Sequence, residues 1–251
     1  MSGTVFLVGA GPGASDLLTV RAARLLGEAE VVFHDALIDE EVLQLASRAV
    51  KISVGKRCGR HSTAQRFINK RLADAARSHK VVVRLKGGDP MLFGRAHEEI
   101  AYLQAHGIRV AVVPGVTAAL AASAELAISL TRRGAARSVA LVTPRVGEGE
   151  RESQWIRSVL AADTAAIYMG AGEAQAIAAA LIAAGKPART PVALVEDASL
   201  PGMRVQYATL EELPRLPTRG GPTLILLGEV YAEALLAVQR LRPRARISQK
   251  L

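Results

Sequence analysis

Short runs of β-branched and aliphatic residues recur along this chain, separated by longer Ala- and Leu-rich segments whose apolar positions return every three or four residues. The runs predict strands and the segments predict helices; their alternation predicts parallel strands joined by crossover helices. In the first half, strands are expected at 5–8, 31–34, 51–54, 81–85 and 110–113, with helices at 16–27, 39–47, 63–77 and 94–105. Pro114-Gly115 stops this series and a small-residue helix is expected at 117–126, so a domain boundary is placed here. Beyond it, strands are expected at 139–143, 165–168, 192–195, 205–207 and 223–227, with helices at 154–160 and 173–184. The late strands are separated only by the short 210–213 segment, so this second sheet is expected to be mixed or partly antiparallel. The reading is therefore α/β in two domains. Residues 1–114 form an N-terminal α/β domain with a mostly parallel sheet and Gly-rich loops, 115–239 form a C-terminal α/β domain, and 240–251 form a basic, disordered tail.

Composition narrows the picture. A hydrophobic content of 50% over 251 residues is ample for two cores. The longest apolar stretches, 110–113 and 223–227, are far too short to cross a bilayer, and the polar N-terminus has no apolar signal region, which points to the cytoplasm and away from membranes. Cys58 is the one cysteine, so no intrachain disulfide or cysteine metal cluster can form. The net charge of +9 falls to +4 once Arg240, Arg242, Arg244, Arg246 and Lys250 of the tail are set aside. Aromatic residues are 4% and scattered, so the charge does not make a nucleic-acid-binding pattern, and no nucleic-acid partner is expected. His34, His61, His79, His97 and His106 show no zinc-type pairing and no G-x-S-x-G elbow is present; neither a metal nor a covalent intermediate is expected.

Two glycine loops carry the candidate chemistry. Val8-Gly9-Ala10-Gly11-Pro12-Gly13-Ala14 follows a strand and opens a helix, where glycines let a backbone approach a ligand closely. Read as G-x-G-x-x-A it fits a dinucleotide fingerprint, and an NAD-dependent oxidoreductase is the alternative it raises. Pro12 argues against a pyrophosphate, because it removes a backbone N–H at the turn; a tight turn without a ligand is the third reading. Arg84-Leu85-Lys86-Gly87-Gly88-Asp89-Pro90 is a second strand running into glycines, and two such loops at the carboxyl ends of parallel strands define a ligand crevice. Asp89 there is either a ligand contact or a loop cap.

With these blocks in view, the sequence resembles the tetrapyrrole methyltransferase family over residues 4–230. The resemblance rests on Val8 to Gly13 with Asp16-Leu17-Leu18-Thr19, Val54-Gly55-Lys56-Arg57, Arg84 to Pro90 with Phe93-Gly94-Arg95, and Val113-Pro114-Gly115-Val116-Thr117. Tyr168-Met169-Gly170, Pro191 to Glu196 and Gly228-Glu229-Val230 extend it into the second half. It implies a homodimer whose subunits hold S-adenosylmethionine in a cleft between two domains and transfer methyl groups to a tetrapyrrole. In the resembled reaction, two ring carbons of uroporphyrinogen III are methylated in turn to give precorrin-2 and S-adenosylhomocysteine. A later precorrin methyltransferase of corrin biosynthesis is the alternative within the superfamily.

The resemblance also implies roles. Pro12, Gly87, Gly88, Asp89, Leu92, Thr117, Ala118, Met169 and Ala198 fall where the family contacts the cofactor. Asp35 matches the position assigned as proton acceptor and Lys56 that of the proton donor; read without the resemblance, they are a turn residue and a surface cation. Arg95, Arg133 and Arg57 are candidates for the carboxylates of the substrate, and Glu98, one turn after Arg95, for a pyrrole N–H. The chain departs from the common pattern at Thr131-Arg132-Arg133-Gly134-Ala135, at Arg95-Ala96-His97-Glu98, at Thr143-Pro144-Arg145 and at Ala198.

Overall fold

The computed structural model of the chain describes residues 3–55, 65–147 and 153–241. These divide into two compact units, Met1–Ala121 and Ala122–Leu251. In the first unit five strands, β1 (Thr4–Gly9), β2 (Val31–His34), β3 (Val50–Ser53), β4 (Val81–Lys86) and β5 (Arg109–Val113), form one sheet in the order β3-β2-β4-β1-β5. Every neighbouring pair is parallel. The helices are α1 (Val20–Glu28), α2 (Glu40–Gln44), α3 (Gln65–Ser78), α4 (Ala96–Ala105) and α5 (Ala118–Glu125), and the division between the units falls within α5.

Side-chain alternation explains how the sheet is covered. Along β1, Val5 and Leu7 pack with Ile68, Leu72 and Ala76 of α3 and Leu103 of α4, whereas Val8 packs with Ala22 and Leu26 of α1 and Val42 of α2. Helices leaving β1 and β2 therefore cover one face, and those leaving β3 and β4 cover the other. Because β1 and β4 are neighbours whose chains depart to opposite faces, their carboxyl ends mark the switch point at which open α/β sheets bind ligands.

Two helices are shorter than the periodicity suggests, for local reasons. Thr19 caps α1, its Oγ1 accepting from the Ala22 N–H at 3.1 Å, so residues 15–17 form a separate 3₁₀ turn in place of a first helical turn. Asp39 caps α2, accepting from the Glu41 N–H at 2.9 Å, and the helix stops at Gln44.

The second unit contains β6 (Val139–Val142), β7 (Thr164–Tyr168), β8 (Pro191–Glu196), β9 (Arg204–Thr209) and β10 (Thr223–Gly228) in the order β6-β7-β10-β8-β9. Only β6 and β7 pair parallel, so the sheet is mixed, as the closely spaced late strands suggested. Its core joins Ile177 and Leu181 of α7 (Ala174–Ala183) and Val159 of α6 (Trp155–Ala161) to Ile167, Leu194 and Ile225 of the strands. A helix not anticipated from the pattern, α8 (Ala232–Leu241), buries Leu235 and leaves Leu236 and Leu241 exposed. It takes Arg240, read above as the start of the basic tail, into helical structure. Among the described residues no helix is long and apolar enough to cross a membrane.

Candidate active site

At the carboxyl end of the first sheet, three loops meet through their backbones. Gly88 and Gly11 exchange two hydrogen bonds, the Gly88 N–H donating to Gly11 O at 2.7 Å and the Gly11 N–H to Gly88 O at 3.2 Å. The Ala10 N–H donates to Lys86 O at 2.8 Å. A Cβ on Gly9 would come within 2.6 Å of the Gly115 Cα, and one on Gly115 would collide with the Gly88 carbonyl oxygen. Gly9, at the end of β1, and Gly115, after β5, therefore serve loop-to-loop packing. Gly87 and Gly88 differ, because nothing lies within 4 Å of where their Cβ atoms would be, and Gly88 has a φ of +65°. These two leave room beside the backbone, on the wall that the sequence assigned to a ligand.

Asp89 ties the assembly together. Its Oδ2 accepts from the Gly115 N–H at 2.9 Å and its Oδ1 from the Met91 N–H at 2.8 Å. Both carboxylate oxygens thus brace the loops after β4 and β5. Pro12, Leu92, Thr117 and Ala118 sit in or beside the same loops and are all partly buried.

Asp35 follows β2, which neighbours β4, so it stands at the same sheet end as these loops. Its Oδ1 accepts from Arg84 Nη2 at 2.6 Å, and the carboxylate remains 35% exposed while Arg84 is 4% exposed. Arg84 is engaged on every edge: Nη1 donates to Leu85 O at 3.1 Å and Nε donates to Glu99 Oε1 at 3.1 Å. Glu99 is fully buried, and its Oε1 also accepts from Lys86 Nζ at 3.1 Å and from Gln65 Nε2 at 3.0 Å. Burial holds the Lys86 ammonium below the usual lysine range, with the Arg84 charge acting the same way and Glu99 and Asp35 opposing. Two cations and two carboxylates balance in this buried cluster. Removing one partner of such a set costs about 3–5 kcal/mol, because it leaves a buried charge unpaired.

Sequence reasoning did not single out Arg84, Lys86, Glu99 or Gln65 as a cluster. The signal was present, since Arg84 and Lys86 share the β4 face with buried Val82 at alternating positions, and cations there require a buried acid. Arg95 and Glu98, proposed to face the substrate separately, form a two-point ion pair at 2.6 and 2.8 Å, and the Arg95 hydrogen bond holds the Glu98 carboxyl below the usual range. Lys56 and Arg57 lie outside the described residues.

In the second unit, β7 and β8 run in the same direction on either side of β10, so the loops after them emerge at one end of the sheet. Met169 there has a φ of +57°, and buried Ala198 lies between Asp197 and Ser199, with φ of +51° and +68°. Non-glycine residues held at positive φ cost about 1–3 kcal/mol each and gather at ligand sites. Met169 and Ala198 are thus placed on the strained end of this sheet. Arg133 is exposed in the 131–136 turn, closed by paired hydrogen bonds between Arg132 and Ala136 at 2.8 Å.

A parallel sheet with braced glycine loops at its switch point, joined to a mixed-sheet unit with strained loops, defines an α/β protein that takes a small ligand outside its strand ends. More particularly, the chain matches the model of the tetrapyrrole (corrin/porphyrin) methylases over residues 4–214, and it belongs to that family. It is 46% identical over 233 residues to the siroheme synthase of Pseudomonas fluorescens (strain Pf0-1), covering 91% of this chain and 50% of that protein. The chain thus spans about half the length of the curated relatives it matches. The uroporphyrin-III C-methyl transferase of Thermus thermophilus, complexed with S-adenyl homocysteine, is 44% identical with a TM-score of 0.81, covering 92% of this chain and 100% of that one. A cobalt precorrin-4 methyltransferase is 26% identical with a TM-score of 0.79, covering 90% and 95%. The two-domain α/β fold read from the sequence is the fold of these relatives.

Proposed function

We propose that this chain transfers methyl groups from S-adenosylmethionine to two ring carbons of uroporphyrinogen III, giving precorrin-2 and S-adenosylhomocysteine. The observation that carries this reading is the half-exposed Asp35 carboxylate, fixed on buried Arg84 one strand away from the open Gly87-Gly88 wall. A carboxylate so held can take a proton from a substrate lying against that wall. The similarity to the Thermus enzyme supports the choice of cofactor and of tetrapyrrole.

The open space beside Gly87 and Gly88 fits a cofactor bound through main-chain groups. Pro12, Gly87, Gly88, Asp89, Leu92, Thr117, Ala118, Met169 and Ala198 are the residues proposed to contact it. When bound, S-adenosylmethionine supplies a methyl group activated by a sulfonium. The braced loops then do the orienting, because an in-line displacement gains most of its rate from alignment. Asp35 would accept the proton lost from the ring as each new carbon–carbon bond forms and the methyl–sulfur bond breaks, and Lys56 would return a proton to the ring only where a second one is lost as its double bonds shift. Asp89 acts by holding the loops rigid through Gly115 and Met91.

The substrate is polyanionic, so exposed arginines steer and orient it. Exposed Arg133 is proposed for this role, together with Arg57, which lies outside the described residues. Arg95, held in a two-point ion pair with Glu98, is proposed for the same role. Arg133→Met is expected to raise KM for the tetrapyrrole by roughly fivefold to tenfold, as loss of one charge-assisted contact would, while leaving cofactor affinity unchanged. Steady-state kinetics with calorimetry of S-adenosylhomocysteine binding checks this. An unaltered KM would remove Arg133 from the substrate site.

Incubation of the protein with uroporphyrinogen III and S-adenosylmethionine, read by product mass, tests the whole reading. Two added methyl groups are expected. No mass gain from uroporphyrinogen III, with gain from a precorrin, would reassign the protein to a later methylation; no gain from either would sink the proposal.

A further inference from the structure

Glu99 lies one residue beyond Glu98 but points the other way along α4, into the protein. Its two oxygens are used unequally. Oε1 accepts from Arg84, Lys86 and Gln65, whereas Oε2, equally buried, has no hydrogen-bond partner among the described residues. A buried carboxylate that leaves one oxygen unmatched and crowds three donors onto the other is not arranged for its own solvation. The arrangement instead fixes the donors. Arg84 is pinned at Nε by Glu99 and at Nη1 by Leu85 O, so its one remaining bond, Nη2 to Asp35 Oδ1, has a set direction.

We propose that Glu99 is a positioning residue for methyl transfer, acting through the Arg84 fork to hold Asp35 by Oδ1 and leave Oδ2 facing the substrate. This rests on the reading of Asp35 as proton acceptor. Gln65, which also donates to Asn69 Oδ1 at 2.9 Å, ties the carboxylate of Glu99 to α3, and Lys86 ties it to β4. The proton acceptor is thus referenced to both helices that cover this face of the sheet, rather than to its own short strand. Arginine suits the linking position because its planar guanidinium serves two carboxylates at a fixed angle, which a lysine ammonium does not.

The unmatched Oε2 makes the test clean. Glu99→Gln can keep its oxygen where Oε1 accepts three hydrogen bonds and place the amide nitrogen where no bond is lost, so the charge that anchors Arg84 is what changes. The expected result is a fall in kcat of roughly tenfold, with KM for uroporphyrinogen III and the dissociation constant of S-adenosylhomocysteine within about twofold of the parent. Gln65→Leu, at a half-buried position and with no change of charge, is expected to lower kcat by roughly threefold with the same constancy of binding. It carries the test should Glu99→Gln not fold, as circular dichroism would show.

Asp35→Asn, run in the same assay, separates the possible failures. If it retains the full rate, the reading of Asp35 as proton acceptor is wrong and this inference goes with it. If Asp35→Asn is slow while the folded Glu99 and Gln65 variants retain full kcat, the positioning role alone is overturned. A loss of kcat accompanied by an equal loss of cofactor binding would also overturn it, since that is the mark of general loosening.

Discussion

Asp35→Asn is expected to lower kcat for methylation of uroporphyrinogen III by roughly a hundredfold or more, the usual contribution of a positioned proton acceptor. The asparagine side-chain oxygen can still accept the hydrogen bond from Arg84, so the buried cluster keeps its geometry while losing one charge. Binding of S-adenosylhomocysteine should therefore be retained, because Asp35 belongs to the loop after β2 and not to the three loops joined through Gly11, Gly88 and Gly115. Single-turnover kinetics beside calorimetry distinguishes the two effects. Unchanged turnover would remove Asp35 from the chemistry.

The second large effect concerns the loops themselves. Gly115→Val is expected to destabilise the first unit by about 3 kcal/mol, the upper range for overpacking, since its Cβ would meet the Gly88 carbonyl and the Gly9 backbone rather than a flexible side chain. Relief can come only by separating the loops, which breaks the Asp89 hydrogen bond to Gly115. Cofactor binding should be lost together with stability. Thermal unfolding and calorimetry of the same preparation check both, and a variant that melts normally and binds S-adenosylhomocysteine would show that the loops need not touch.

The strands were legible because they are short aliphatic or β-branched runs and the central ones are buried or partly buried on both faces, so that Val5-Phe6-Leu7-Val8 or Val192-Ala193-Leu194-Val195 reads as little else. Helix ends were less legible. Thr19 was read as interior to a helix although it is a capping residue, and an Asp-Leu-Leu-Thr segment has helical periodicity whether or not the chain turns there. Helix α8 went unread although its Ala-Leu run, with Arg240 in the last turn and Pro243 just beyond, carries the signal of a helix and its end. Of the site, the glycine loops were visible as motifs, but which glycines pack against backbone and which leave open space depends on contacts between residues about a hundred apart. Shorter separations in sequence hid Glu99, whose partners on β4 and α3 lie 13 to 34 positions away. An acid beside Glu98 on an amphipathic segment looks like solvent-facing charge until the cations on Val82's side of β4 are seen to need it.

The order of strands in the first sheet also sets a sequence of events during synthesis. Strand β1 is made first and sits between β4 and β5, Thr4 pairing with Val81 on one side and with Arg109 on the other. Both pairings close long loops, which makes them slow and late relative to the local pairing of β2 with β3. The glycine loops need β1, β4 and β5 together, so a nascent or partly folded chain has no such wall to offer a cofactor. The wall is complete only when residues 4–11 meet both β4 and β5.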